Sequence, residues 1–283
     1  MKCKLLPIAL LAFWGCKTEE QIPAYLDIKP FEVNAQGGAD WQKITDGWVY
    51  VNGEYLGAYT LPAMVPVLSE GENEVIVFPG VKENGIDGTP NIYPYLERYL
   101  NMYSLVGGQT TVVNPVSEYD PNNVYAFGAG RGDFDGGSFI AFENRDGDEV
   151  LNAELTTEDA FFGKCLLMQV DTAHPVMDIA TEAMTGLPIT GAPEVWLEMH
   201  YKTDMPFFLS MLSGPQQFNQ TIYQFNVTDG WNKIYIHLTE TLVITQASEQ
   251  RLFFRLSLPK NSSGNYTQNK GTVRVDNIRV VHY

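Results

Sequence analysis

Residues 48–59 read Trp48-Val49-Tyr50-Val51-Asn52-Gly53-Glu54-Tyr55-Leu56-Gly57-Ala58-Tyr59. Aromatic and β-branched residues alternate up to Asn-Gly, and a second aromatic-rich run follows, which describes two strands and the turn between them. Asn and Gly tolerate the two positive φ angles of a type I′ turn, whose twist matches a two-residue hairpin. Outward from this hairpin the same grammar repeats. Leu61-Pro62-Ala63-Met64-Val65-Pro66-Val67-Leu68 leads to a turn at Ser69-Glu70-Gly71 and then to the strand Glu74-Val75-Ile76-Val77-Phe78. No stretch carries helical periodicity over three turns, so the chain reads as all-β.

Asp120-Pro121-Asn122-Asn123 is a turn-rich break. Beyond it, strand-like runs fall at 134–143, 163–170, 194–202, 230–238, 252–258 and 272–280. The expected organisation is a first β-sandwich over 22–116, a linker over 117–124 and a larger β-sandwich over 125–283. Alternation in the second sandwich points Val195, Leu197, Met199, Ile234, Ile236, Leu238, Leu252, Phe254, Leu256 and Leu258 to the core. The opposite face then carries Trp196, Glu198, His200, Lys202, Tyr235, His237, Phe253 and Arg255. Trp196, His200, Tyr235, His237 and Arg255 form the expected ligand-binding set, because a sugar needs a flat ring for its C–H face and polar groups for its hydroxyls. The alternative for that face is a solvated sheet, or one covered by a loop or by the first sandwich. A second aromatic concentration, Tyr93, Tyr95 and Tyr99 within 85–99, reads either as a partner-binding patch or as rings packed over the open end of a sandwich.

The strand, Asn-Gly, Pro-containing stretch and Glu-Gly turn of 48–78 together resemble PEGA-type or Ig-like sandwiches of bacterial surface proteins. The order of an opening Phe-Glu strand at 142–143, a Gly-Lys strand at 163–170, Gly230-Trp231-Asn232-Lys233-Ile234 and a terminal Val275-Asp276-Asn277-Ile278 resembles galactose-binding-like jelly rolls, the fold of many carbohydrate-binding modules. That second resemblance implies a structural calcium ion held by an acid of the first strand and the Asp of the last, here Glu143 and Asp276. Calcium wants six to eight oxygens, so two carboxylates would be part of its shell.

The N-terminus runs Met1-Lys2-Cys3-Lys4 into an apolar stretch over 5–15 that ends at Cys16, the pattern of a secretory signal. As a helix the apolar stretch would reach about 16 Å, roughly half of a bilayer's hydrocarbon core. Gly15-Cys16 resembles a lipobox, with bulky Phe13 and Trp14 where smaller residues are usual. The resemblance implies that residues 1–15 are removed, that Cys16 carries a diacylglycerol and that 16–21 is a tether. Lys17-Thr18-Glu19-Glu20-Gln21 resembles the acidic export tag of Bacteroidota-type lipoproteins, which implies the outer membrane with the protein facing the cell exterior.

The 34 acidic and 18 basic residues give a formal charge of −16, and loss of Lys2 and Lys4 takes it to −18. Nucleic acid and anionic headgroups are excluded as preferred partners. With Cys16 lipidated, Cys165 has no disulfide partner, and its apolar flank Phe161-Phe162-Gly163 and Leu166-Leu167 marks a buried thiol. His174, His200, His237 and His282 lack metal-ligand spacing, and neither a Gly-x-Ser-x-Gly elbow nor a phosphate-binding glycine loop occurs. No cofactor is required by anything in the sequence. The expectation is a non-catalytic outer-membrane lipoprotein that serves an envelope complex as an accessory or docking component, its partner another outer-membrane protein. The alternative is a glycan-binding surface lipoprotein that captures polysaccharide.

Overall fold

The Asn52-Gly53 turn forms as its chemistry requires. Asn52 and Gly53 take φ of 50° and 80°, and the strands Asp46–Val51 and Glu54–Thr60 pair antiparallel across them. The Asn52 side chain reinforces the turn by accepting from the Glu74 N–H at 2.9 Å and donating to Asn73 at 2.7 Å. These relations come from a computed structural model, which describes residues 21–128, 130–191 and 193–283. The expected signal peptide over 1–15 and Cys16, expected to carry a lipid, lie outside the described residues.

Asp46–Val51 is central in a five-stranded sheet, with Glu54–Thr60 on one side and the long strand Gly71–Lys82 on the other. Gly71–Lys82 in turn pairs with Pro90–Ile92 and Tyr99–Leu105. Facing it is a three-stranded sheet in which Ala24–Ile28 lies between Ala63–Val67, antiparallel, and Thr110–Val113, parallel. Alternation puts Val49, Val51, Val75 and Val77 of the larger sheet against Leu26, Ile28, Val65 and Val113 of the smaller one, all buried in one apolar cluster. The same alternation turns Trp48, Tyr50, Ile76 and Phe78 outward.

The second sandwich is larger and wholly antiparallel. One sheet runs in the order Ala153–Thr156, Cys165–Asp171, Lys270–His282, Val195–Thr203, Asn232–His237. The other runs Phe142–Asn144, Val176–Thr181, Glu249–Ser257, Phe207–Ser213, Phe218–Phe225. Each of the ten residues from Val195 to Leu258 expected to face inward belongs to the core cluster between these sheets. Cys165 is buried, as its apolar flank implied. One short helix, Thr239–Thr245, not foreseen in the sequence, links the first of these sheets to the second. No helix among the described residues is long and apolar enough to cross a membrane.

Strands up to Ser117 pair with one another, and strands from Val124 onward do the same; among the described residues a single bridge, Glu83 to Tyr235, joins the two sets. Side chains hold the halves together far more extensively. Val33, Val81, Tyr93, Tyr95 and Leu96 of the first half form a buried cluster with Trp196, Tyr235 and Val281 of the second. The sheet that contains Val195–Thr203 therefore has its outer face under the first half, and is called the covered sheet below. The sheet that contains Glu249–Ser257 is called the open sheet.

Candidate functional site

Four of the five residues expected to bind a ligand sit on the covered sheet's outer face. Trp196 and Tyr235 are buried to 0% and 1% exposure, and His200 to 3%. Tyr93 packs edge-on against Trp196 at 5.6 Å and lies tilted 4.8 Å from Tyr235, so both rings are already covered by protein. His237 stacks on Trp196 at 4.6 Å and lies 3.1 Å from Glu194 and 3.4 Å from Glu83 at the rim of the contact. Of the readings this face allowed from sequence, a sugar platform, a solvated sheet or a face covered by the first sandwich, the last is the one found: it is the interface between the two sandwiches. Arg255 stands apart, on the outer face of the open sheet, with its side chain 51% exposed and its guanidinium paired to Asp178 at 2.7 and 2.5 Å.

The covered face has a polar centre. The Glu198 carboxylate accepts from Tyr93 at 2.5 Å, from Tyr119 at 2.9 Å and from Lys233 at 2.7 Å, while the Arg279 guanidinium lies over the Tyr119 ring at 5.8 Å. Burial pushes the Glu198 carboxyl up, but the positive charges of Lys233 and Arg279 outweigh it, and the group is held below the usual carboxylate range. Beside it, Asp276 is opposite His200 in strand register. Burial raises Asp276 to about 8 against the pull of the Asn277 and Phe162 N–H donors, with Asp135 and Asp133 adding repulsion. His200, stacked on Phe161 at 4.0 Å, is lowered to about 2, first by burial and then by Lys233 and Arg279.

The expected calcium pair does not fit together. Glu143 is on the outer face of the open sheet, where Arg145 at 2.7 Å and Arg251 at 3.4 Å neutralise it. Asp276 is on the outer face of the covered sheet, on the opposite side of the sandwich. Among the described residues no group of three or more His, Cys, Asp or Glu side chains is placed to hold a metal ion. The Tyr-rich 85–99 segment takes neither of its two expected roles in simple form. Tyr93 and Tyr95 are fully buried between the sandwiches, with the Tyr95 hydroxyl donating to the Glu194 carbonyl.

An aromatic surface that sequence reading did not select lies on the first sandwich. On the outer face of its larger sheet, Trp48 and Tyr55 stack with centroids 5.5 Å apart and planes 23° apart. Tyr50 lies 5.1 Å from Tyr55 and 5.6 Å from Phe78. Register explains the grouping: Tyr50 is opposite both Tyr55 and Ile76, and Trp48 is opposite Phe78. At the Phe78 end the surface enters a groove of about 380 Å³ at the seam between the sandwiches. Phe78 and Ile92 continue the apolar floor, Glu97, Arg98 and Asp120 supply charge, and Tyr283 closes the far wall. The Arg98 guanidinium lies 5.9 Å from the Phe78 ring, and the Tyr283 hydroxyl donates to the Pro94 carbonyl. Burial, then the negative charges of Asp120 and Glu97, raise the Tyr283 phenol above its ordinary value, which places both carboxylates near that end of the groove. The signal for these rings was already in the period of two: with Val49 and Val51 inward, Trp48 and Tyr50 must point out.

No protein-family profile matches the chain, and no curated protein is similar to it. Solved structures similar to it include the enzymatically active domain of bacteriophage CBA120 tailspike protein 4, at 13% identity and a TM-score of 0.42. That match covers 62% of this chain and 25% of the tailspike domain, so the chain spans about a quarter of its length. The family 11 carbohydrate-binding module of a Clostridium thermocellum cellulosomal cellulase is similar at 11% identity and a TM-score of 0.36, over 53% of this chain and 92% of the module. TmCBM61, solved with beta-1,4-galactotriose, is similar at 8% identity and a TM-score of 0.33, over 51% of this chain and 88% of that one.

Proposed function

We propose that this protein is a non-catalytic glycan-binding protein, held at the outer membrane by a lipid on Cys16, and that a polysaccharide chain lies along the ring face of the first sandwich. The observation that carries the reading is the group Trp48, Tyr50, Tyr55 and Phe78, four rings on the solvent side of one sheet that lead into a groove with a charged rim. A sheet's solvent face ordinarily carries polar side chains, and a contiguous ring-rich patch marks a binding surface. Flat rings suit the axial C–H face of a pyranose. Glu97, Asp120 and Arg98 at the groove offer two acceptors and one donor array for its hydroxyls.

Docking to a partner protein is the second reading, favoured by one specific feature. Leu100 and Met102, 47% and 52% exposed, extend the ring face on its far edge with apolar surface that a sugar does not need. Affinity electrophoresis of the full chain through gels of neutral polysaccharides separates the readings. Trp48→Ala and Tyr55→Ala are expected to remove retardation, by about tenfold or more in affinity for each lost stack. Leu100→Ser should leave it unchanged. Absence of retardation by the intact chain in every gel would overturn the glycan reading, and retardation lost with Leu100→Ser alone would move the site to the apolar edge.

A further inference from the structure

A larger cavity, about 550 Å³, opens at one end of the second sandwich. One wall is the turn between Phe207–Ser213 and Phe218–Phe225; the other is the C-terminal end of helix Thr239–Thr245 and the segment that follows it. Its size falls within the roughly 300–1,000 Å³ of small-ligand sites. In a chain with 34 acidic and 18 basic residues, the lining contains no ionisable side chain. It offers amides and hydroxyls instead, from Gln216, Gln246, Thr245, Ser213 and Ser248.

The two walls are held together from behind the cavity. Gln250, 1% exposed, accepts from the Ser213 hydroxyl and donates to the Ala247 carbonyl at 3.2 Å and to Thr245 at 3.4 Å. One satisfied buried amide thus ties the hairpin wall to the helix wall and fixes the hydroxyls of both. Backbone conformation adds to the shape. Gln246, the C-cap of the helix, takes the left-handed φ of 47° that commonly ends a helix and turns the chain along the cavity wall. On the rim, Phe218 from the hairpin and Ile244 from the helix are each 62% exposed. A neutral polar floor beneath two apolar rim side chains matches a ligand with hydroxyls around its edge and an apolar face, and it offers no partner for a charge.

We infer that this end cavity is a second saccharide site, which takes a single neutral pyranose unit stacked on Phe218 with its hydroxyls shared among Gln216, Thr245, Gln246 and Ser248. The inference rests on the glycan-binding reading above but on different residues, at the far sandwich. It makes the protein bivalent, so that a polymer engaging both sites is retained through effective concentration, about a hundredfold or more beyond either site alone.

The test is titration of the full chain with a panel of soluble neutral oligosaccharides, with heteronuclear NMR reporting where each binds. The expected result is saturable shifts at 213–218 and 244–248. Phe218→Ala should weaken that binding by about tenfold or more, and Tyr55→Ala should leave it intact. Because Phe218 is exposed, the variant keeps its melting temperature. Unshifted resonances around the cavity at saturating concentrations of every neutral sugar overturn the inference, as does Phe218→Ala with unchanged affinity. Shifts at the cavity with none at Trp48 and Tyr55 would uphold it and remove the ring-face reading. Shifts at Trp48 and Tyr55 alone would do the reverse. With a long polysaccharide, the bivalent chain should also give turbidity that either single variant abolishes.

Discussion

Replacing Asp276 with Asn should change how stability depends on pH, in a window fixed by two buried neighbours. The native carboxyl of Asp276 titrates near 8 rather than 3.8, and the native imidazole of His200 near 2 rather than 6.5. Between 6.5 and 8 the native chain holds the Asp276 proton, whereas the unfolded chain has released it. Stability therefore falls as pH rises there, by about 1.4 kcal/mol per pH unit and about 2 kcal/mol over the window. Between 3.8 and 6.5 the unfolded chain holds a proton on His200 and the native chain holds one on Asp276, so the two slopes cancel. Below 3.8, of these two groups only His200 still counts, and it adds to the loss of stability that Glu198 and the other lowered carboxylates bring as pH falls. Asp276→Asn keeps an acceptor for the Asn277 and Phe162 N–H groups but removes the proton. Relative to the native chain, the variant should lose the fall that Asp276 contributes from 6.5 to 8, and between 3.8 and 6.5 the His200 contribution, no longer offset, should make it gain stability with rising pH. Urea unfolding of the full chain, followed by tryptophan fluorescence at steps between pH 4 and 9, gives the difference between the two proteins directly. A difference that stays constant across 6.5–8 would refute the reasoning, because it would mean that Asp276 is ionised in the native state throughout.

Glu198→Gln should cost about 3–5 kcal/mol in the same urea assay at pH 7, since Lys233 and Arg279 are left buried without their counter-charge. Trp196→Ala should cost about 3–5 kcal/mol because the ring is fully buried between the sandwiches, whereas Trp48→Ala, on a solvent face, should cost well under half as much while abolishing glycan retention. Burial pushes the Cys165 thiol up to about 11, so the native chain should remain unlabelled by a thiol-specific disulfide reagent at pH 8 and react fully in urea. Rapid labelling without urea would show that the Cys165–Asp171 strand, which lies between Ala153–Thr156 and Lys270–His282, opens to solvent.

Alternation made the interior legible. The valines at 49, 51, 75 and 77, and the inward residues from Val195 to Leu258, occupy the cores that a period of two assigns to them. The hairpin at Asn52-Gly53 was equally direct, because only certain residues accept its φ angles. The outer faces were not legible, since a strand's pattern says that Trp196 and Val195 point opposite ways but not which side meets another part of the chain. Trp196, His200, Tyr235 and His237 looked like a site because an interface with a polar centre uses the same residue types as a sugar platform. Glu143 and Asp276 were paired by resemblance alone, and strand order separates them onto opposite outer faces. The end cavity has no sequence signal, because its walls join a turn at 214–217 to a helix end some thirty residues later.

The buried polar centre bears on function through geometry. An apolar contact between the sandwiches could slide, but Glu198 with its donors Tyr93, Tyr119 and Lys233 has one arrangement that satisfies all of them. Displacing Tyr93 would leave a fully buried carboxylate short of a donor, a cost of about 1–3 kcal/mol or more. The linker is therefore not a hinge about which the ring face and the end cavity move freely. Two sites on a rigid body reward a ligand that can span them and give nothing to one that cannot. Under the glycan-binding proposal, selectivity for the glycan's chain length and stiffness would follow from the inter-sandwich contact, and Trp196, His200, Tyr235 and His237 would serve to set the distance between the two proposed sites.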